Sequence, residues 1–168
     1  PEFRGLPDAE VVYNIAISTC AAAERWREAL WCLQALQDVR LRPTVISYSA
    51  AVHACKASAQ WECSMFALAE MQERLLHPNI ITFSAAMSAC QKAGHWERTL
   101  ALLSYMKVRY QQPNLIAYAA AVKACASARE LIHVRNLVSE MKRGELQPDL
   151  RIYTEAITAH SRERRWDL

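Results

Sequence analysis

The groups in this 168-residue chain that could do chemistry are six cysteines, five histidines and a recurring set of small polar residues. The cysteines are Cys20, Cys32, Cys55, Cys63, Cys90 and Cys125, and no two of them form a C-x-x-C pair. That spacing excludes a zinc ribbon, a thioredoxin-type redox motif and haem attachment. Cys20, Cys55, Cys90 and Cys125 instead stand 35 residues apart, with His160 in the fifth place. Ligands of one zinc ion sit ~2.3 Å from it, and disulfide partners need Cα atoms within ~7 Å. Equivalent positions on packed helices are ~8–10 Å apart per step. The column is therefore read as small, polarizable packing residues, with His160 packed in the same way by its ring. His95-Trp96-Glu97 carries the H-x-E of zinc deaminases, but no P-C-x-x-C follows it. No glycine-rich phosphate loop, nucleophile elbow or H-E-x-x-H is present. Glu24, Glu28 and Glu97, each with an arginine nearby, read as solvated helix pairs. The residues imply a non-enzyme with no metal, no cofactor and no small-molecule substrate.

Composition sets the outer bounds. The chain is 52% hydrophobic and 22% charged, which argues for a folded protein. Mean hydropathy is −0.09, and charged residues or Gln interrupt every apolar run well short of the ~18 residues a membrane-spanning helix needs. No membrane insertion is expected. The net charge of +3 permits a polyanionic partner without requiring one. The opening PEFRGLPDAE carries no signal or transit pattern. It reads as the tail of a preceding repeat, or in its first three residues as a cloning scar. Cysteines without a disulfide framework point to a reducing compartment.

The elements that position these residues are repeats. Pro43, Pro78, Pro113 and Pro148 are each followed by a polar residue and stand 35 apart, with Pro7-Asp8 preceding the first by 36. Tyr13, Tyr48, Phe83, Tyr118 and Tyr153 keep the same period. So do Trp26, Trp61, Trp96 and Trp166, with Leu131 in the fourth place, and Leu36, Met71, Met106 and Met141. Within a unit, Tyr48, Ala51, Val52 and Cys55 fall at i, i+3, i+4, i+7, one face of a helix running from Val45 to about Lys56. Ser58-Ala59-Gln60 makes a turn, matched by Ala93-Gly94-His95, where glycine can take a positive φ. A second apolar stripe, Trp61, Met65, Leu68 and Met71, is expected to run until Pro78 ends it. The fold class predicted is all-α, an α-solenoid of stacked helix-turn-helix repeats. Repeats are placed at 10–44, 45–79, 80–114 and 115–149, with 150–168 a truncated fifth whose first helix is Tyr153–Arg162. Neither end carries the polar cap an array needs, so a longer parent protein is expected.

A solenoid without catalytic groups is a binding surface, and its variable residues are informative. The residue after each aromatic reads Asn14, Ser49, Ser84, Ala119 and Thr154. The residue after each periodic proline reads Asp8, Thr44, Asn79, Asn114 and Asp149. Two places before the aromatic stand Val11, Ile46, Ile81 and Ile116, with Arg151 in the fifth place. Small polar groups between apolar wedges suit flat ligands with polar edges, such as nucleobases. The alternative is that Asn or Asp after Pro is only turn chemistry and helix capping. Cations suited to phosphates are few: Lys56, Lys92 and Lys123, with His53 beside them.

The 35-residue unit, with VVYNIAI, REAL, RGLPD and the pattern V-I-S-Y-S…A-C…W…M…L-x-P-N, resembles the pentatricopeptide repeat family over essentially the whole chain. That resemblance implies a right-handed superhelix and a single-stranded RNA partner read at one base per repeat. The reading pairs it implies are Asn14 with Thr44, Ser49 with Asn79, Ser84 with Asn114, and Ala119 with Asp149; Thr154 would open a fifth. Val11, Ile46, Ile81 and Ile116 would sandwich bases, and Lys56, Lys92 and Lys123 would meet phosphates. Ser with Asn is similar to the family's adenine-preferring pair, so the implied target is 5′-pyrimidine-A-A-(G)-3′. The family also implies a mitochondrion or a plastid and a role in RNA processing. Two other readings stay open: a protein–protein scaffold whose partners are subunits of a large organellar assembly, and the helical arm of an enzyme whose catalytic domain lies elsewhere.

Overall fold

The computed structural model describes residues 9–109 and 112–162. The Pro7-Asp8 start of the proline column, Trp166, the tail reading of residues 1–8 and the end of the fifth repeat lie outside the described residues. Among the described residues all regular structure is helical: α1 (Ala9–Ala22), α2 (Trp26–Asp38), α3 (Val45–Ala57), α4 (Trp61–Glu73), α5 (Ile80–Lys92), α6 (Trp96–Arg109), α7 (Leu115–Ser127), α8 (Leu131–Arg143) and α9 (Leu150–Arg162). Helices α3, α5, α7 and α9 start 35 residues apart, each two places after a buried proline. The architecture is an all-α helical-repeat solenoid.

The chain divides into two units, Pro1–Ala89 and Cys90–Leu168. In the first, α1 packs on α2 and α3, and α3 packs on α2 and α4. In the second, α6 packs on α7, and α7 and α8 both pack on α9. Each core is built from the columns seen in the sequence. Tyr48, Ala51, Val52 and Cys55 are wholly buried on α3, and Leu36, Met71 and Met141 are wholly buried on the second helices. Trp26, Trp61 and Trp96 are the first residues of α2, α4 and α6, and Leu131 is the first of α8.

Two helix boundaries differ from the sequence reading. Helix α4 ends at Glu73, well before Pro78. What stops it is the backbone: Leu75 has φ +59, Leu75 N–H donates to Gln72 O, and Leu76 N–H donates to Met71 O. This is the Schellman closure, in which a left-handed residue folds two amides back onto the orphan carbonyls. Pro78 is buried in the connection and precedes the next helix instead. Helix α9 begins at Leu150 rather than Tyr153, because Asp149 caps it: its Oδ1 accepts from Ile152 N–H at 2.9 Å.

The same closure ends helix after helix. Residues Glu24, Arg40, Ala59, Gly94, Arg129 and Glu145 all have positive φ. The following amide returns to Cys20, Leu36, Cys55, Cys90, Cys125 and Met141 respectively. So the periodic cysteine is the residue whose carbonyl takes that bond at the end of each first helix. Only Gly94 lacks a Cβ at the left-handed position, and an added Cβ there would meet nothing within 4 Å. Gly94→Ala therefore isolates the backbone term. It should cost about 1 kcal/mol and lower the melting temperature by about 2–4 °C, read by circular dichroism; an unchanged melt would show that the turn carries no such strain.

Candidate functional site

On α3, Ile46, Ser49, His53 and Lys56 fall at i, i+3, i+7 and i+10, which puts them on one stripe at ~100° per residue. The buried set Tyr48, Ala51, Val52 and Cys55 occupies the other side of the helix. Helix α5 carries Ile81, Ser84 and Ser88 in the same register, with Lys92 one place beyond that of Lys56, and α7 carries Ile116 and Ala119, with Lys123 in the register of His53. The sequence-predicted wedges are exposed apolar residues: Val11 53%, Ile46 66%, Ile81 66% and Ile116 60%. Full burial of such a side chain is worth about 1.5–3 kcal/mol, so the fold forgoes that gain at each of them. Arg151, in the fifth wedge place, is exposed as well. Lys123 and Lys92 are exposed and Lys56 is half-buried. Partial desolvation, and then the Lys56 charge, lower the pKa of His53, which disfavours its cationic form.

Among the described residues, those after the four periodic prolines cap helices. Asn79 Oδ1 accepts from Thr82 N–H at 2.9 Å, and Asn114 Oδ1 from Ala117 N–H at 2.9 Å. Asp149 caps α9 as described. Thr44 caps α3 through Ser47, whose Oγ accepts Thr44 N–H at 3.0 Å. Capping occupies the Asn and Asp Oδ1 atoms and leaves the two Asn Nδ2 groups uncommitted to the caps.

The structure also brings in residues the sequence reading passed over. Ser47 Oγ donates to Asn14 Oδ1 at 2.6 Å and lies 3.2 Å from Thr44 Oγ1. Thr82 Oγ1 lies 2.6 Å from Ser49 Oγ and donates to Asn79 Oδ1 at 2.9 Å. The third residue of α3 or α5 thus ties the two members of a proposed reading pair together. The available hint was T-x-x-S and N-x-x-T after the prolines, the spacing of a capping box. Ser84 is buried and its hydroxyl has no hydrogen-bond partner. Ala119 is half-buried with no polar side-chain atom, and Thr154 is exposed with its hydroxyl donating to Leu150 O at 2.7 Å.

Behind the stripe, the aromatic column carries polar ties between hairpins. In the first unit Gln37 Nε2 donates to Glu70 at 2.9 Å and reaches Tyr48 Oη at 3.4 Å, while Arg74 bonds Gln37 and Glu70, each at 2.9 Å. In the second, Tyr118 donates to Glu140 at 2.9 Å, Lys107 pairs with Glu140, and the Lys107 ammonium lies over the Tyr118 ring at 5.4 Å. Burial alone would raise the Glu140 carboxyl, but the Lys107 and Tyr118 hydrogen bonds outweigh it and hold the pKa below the usual range. Burial, then the neighbouring Glu, push the Tyr48 and Tyr118 phenols up.

The other chemical candidates are structural. Arg25 and Glu28 form an exposed pair at 2.7 Å. His160 is buried with its Nδ1 2.8 Å from Ala156 O. No group of three or more His, Cys, Asp or Glu among the described residues could hold a metal ion. Burial pushes the Cys55 thiol up to about 12 and those of Cys90 and Cys125 to about 11.

The family model for the pentatricopeptide repeat domain matches residues 66–128, and that for the PPR repeat matches residues 11–40. Together they span more than half of the chain. No curated protein matches it. The crystal structure of the maize pentatricopeptide repeat protein PPR10 is similar, with a TM-score of 0.83 and 18% identity over 96% of this chain and 23% of that one. The same maize protein in complex with an 18-nt psaJ RNA element gives a TM-score of 0.76 and 17% identity over 94% of this chain and 23% of that one. The PPR domain of Arabidopsis thaliana protein-only RNase P 1, in complex with tRNA, gives 0.81 and 14% identity, over 92% of this chain and 82% of that one. At these identities the likeness is one of fold, and this chain spans less than a quarter of the maize protein's length.

The three buried cysteines give a pH prediction. Their folded pKa values lie above the ordinary 9.0, so the neutral thiol is favoured in the fold. That stability is present in full below pH 9 and is lost as pH rises through 11. Iodoacetamide at pH 8 should leave Cys55, Cys90 and Cys125 unmodified in the folded chain and label them in urea, read by mass spectrometry; rapid native labelling would contradict the burial.

Proposed function

The chain belongs to the pentatricopeptide repeat family, and on that premise we propose that it is a non-enzymatic module for single-stranded RNA, one base to a repeat, from a longer mitochondrial or plastid protein of RNA processing. The observation that carries the proposal is the set of exposed wedges, Val11, Ile46 and Ile81 in the first unit and Ile116 in the second, each on its helix three places before a reader. Neighbouring first helices are spaced by roughly 8–10 Å, whereas bases along a nucleic-acid strand rise about 3.4 Å. A strand laid across them must open its stack. The gap beside each base then has room for one layer of aliphatic side chain in van der Waals contact, at about 3.5–4.0 Å between carbons. A β-branched wedge fills that gap with little entropy to lose.

The pairs Asn14–Thr44, Ser49–Asn79, Ser84–Asn114 and Ala119–Asp149 are the proposed readers, with Thr154 opening a fifth. The RNA complexes of the maize protein and of the Arabidopsis RNase P domain support the partner class. Lys56, Lys92 and Lys123 would meet phosphates. With three or four contacts the log–log salt slope for a single strand should be only ~2–3 in magnitude.

A scaffold role has its own observation: Trp31 and Phe66, equivalent residues of α2 and α4, are 70% and 67% exposed. They lie on the second helices, away from the stripe, so a protein contact there would not compete with RNA on the first helices.

The test is binding of short single strands containing A-A against C-C or U-U at several salt concentrations. Adenine-containing strands should be preferred, and the variant with Ser49, Asn79, Ser84 and Asn114 all changed to Ala should lose the preference. Equal binding of all strands by the unaltered chain, or a variant that retains the preference, would remove the RNA reading.

A further inference from the structure

We propose that Ser47 and Thr82 are positioning residues for base selection, because each fixes which member of a reading pair can donate a hydrogen bond and which can only accept. The inference rests on the RNA reading above and adds a third residue to each of the first two sites. It follows from counting protons. Asn79 Oδ1 accepts both Thr82 N–H and Thr82 Oγ1–H, each at 2.9 Å. A backbone N–H can only donate, so the orientation of the Asn79 amide is set. The Thr82 hydroxyl has one proton, and it is committed to Asn79. The 2.6 Å contact between Ser49 Oγ and Thr82 Oγ1 must then run from Ser49 to Thr82. Ser49 is left with lone pairs alone, and Asn79 with its two Nδ2 protons.

In the preceding pair the relay runs the other way. Ser47 gives its proton to Asn14 Oδ1 at 2.6 Å and accepts Thr44 N–H at 3.0 Å. The 3.2 Å contact with Thr44 Oγ1 is then a donation from Thr44. Here the first-helix residue, Asn14, keeps amide protons, and the cap residue, Thr44, keeps lone pairs. Two adjacent sites therefore present opposite polarity. An edge with an amino group toward the first helix and a bare ring nitrogen toward the cap, as in adenine or cytosine, fits Ser49 and Asn79. An edge with a carbonyl toward the first helix and a ring N–H toward the cap, as in uracil or guanine, fits Asn14 and Thr44.

Ser84 supplies the contrast. The sequence register puts Ala117 where Thr82 stands, with no hydroxyl to offer, and Ile152 follows in the next repeat. Ser84 is 6% exposed as a residue, and its hydroxyl oxygen is buried with no hydrogen-bond partner. Its proton is uncommitted, and it can donate or accept.

The experiment uses the 168-residue chain and short uridine-rich single strands carrying U-A-A-G, with the first adenine replaced in turn by guanine, cytosine or uracil. Thr82→Val keeps the shape and removes the relay. It should lower discrimination between adenine and guanine at that base by about fivefold, the value of one neutral hydrogen bond, and leave selectivity at the preceding uracil unchanged. Thr82→Ser should restore the discrimination, which loss of packing alone would not allow. Ser47→Ala gives the same test at the preceding base, should Thr82→Val fail to fold. Full discrimination by Thr82→Val or Ser47→Ala, with Ser49→Ala still abolishing it, overturns this inference and leaves the RNA reading standing. Selectivity untouched by Ser49→Ala, or no RNA bound by the unaltered chain, overturns both.

Discussion

Helices α1, α3, α5 and α7 each stop, reverse and hand the chain to a second helix within three residues, and the hydrogen bonds that close them decide much of what surrounds them. Residues Glu24, Ala59, Gly94 and Arg129 swing into positive φ, and the next amide returns to the carbonyl of the cysteine column. On α3, α5 and α7 the residue that bears that carbonyl is buried, so an apolar side chain suits it; Leu36, Met71 and Met141 bear the same bond on the second helices. Cysteine meets that requirement. The tryptophan or leucine that opens the second helix follows one residue after the returning amide, which keeps the aromatic column in step with the cysteine column. The 35-residue period is the sum of two such closures and two helices of nearly fixed length.

Much of this was legible beforehand because packing positions repeat. The columns of Tyr48, Cys55, Trp61 and Met71 announced the hairpins and the faces they bury. What the sequence concealed was set by backbone conformation. Proline looked like the terminator of α4, but a left-handed Leu75 ends it five residues earlier. Leucine has no special claim to that conformation, so residue type gave no warning. The bridging hydroxyls were hidden for a different reason. Ser47 and Thr82 are ordinary in composition, and only the distances to Asn14 and Ser49 reveal them. Ala117 and Ile152 fill the same place without a hydroxyl, so the column has no conserved chemistry along the chain to draw the eye.

Two explanations for the polar residue after each proline stood side by side in the sequence, and the geometry shows they are compatible. An Asn at a helix start spends its oxygen on the backbone and keeps its amide protons uncommitted to the cap. Asp149 spends one oxygen and keeps a second. Capping therefore fixes what each residue can offer a ligand: donors from Asn, acceptors from Asp. It leaves other atoms of the same side chain available to a ligand.

The caps have an electrostatic consequence too. Each first helix ends at its N-terminus in a partial positive charge of about half a unit, from aligned peptide dipoles. Thr44, Asn79 and Asn114 satisfy the terminal amides without bringing a formal charge, so α3, α5 and α7 keep that positive end. Asp149 does carry one, and the field at the start of α9 is neutralised. Where lysines are sparse, each neutrally capped helix start would draw an anion through that partial charge, and the start of α9, capped by Asp149, would not.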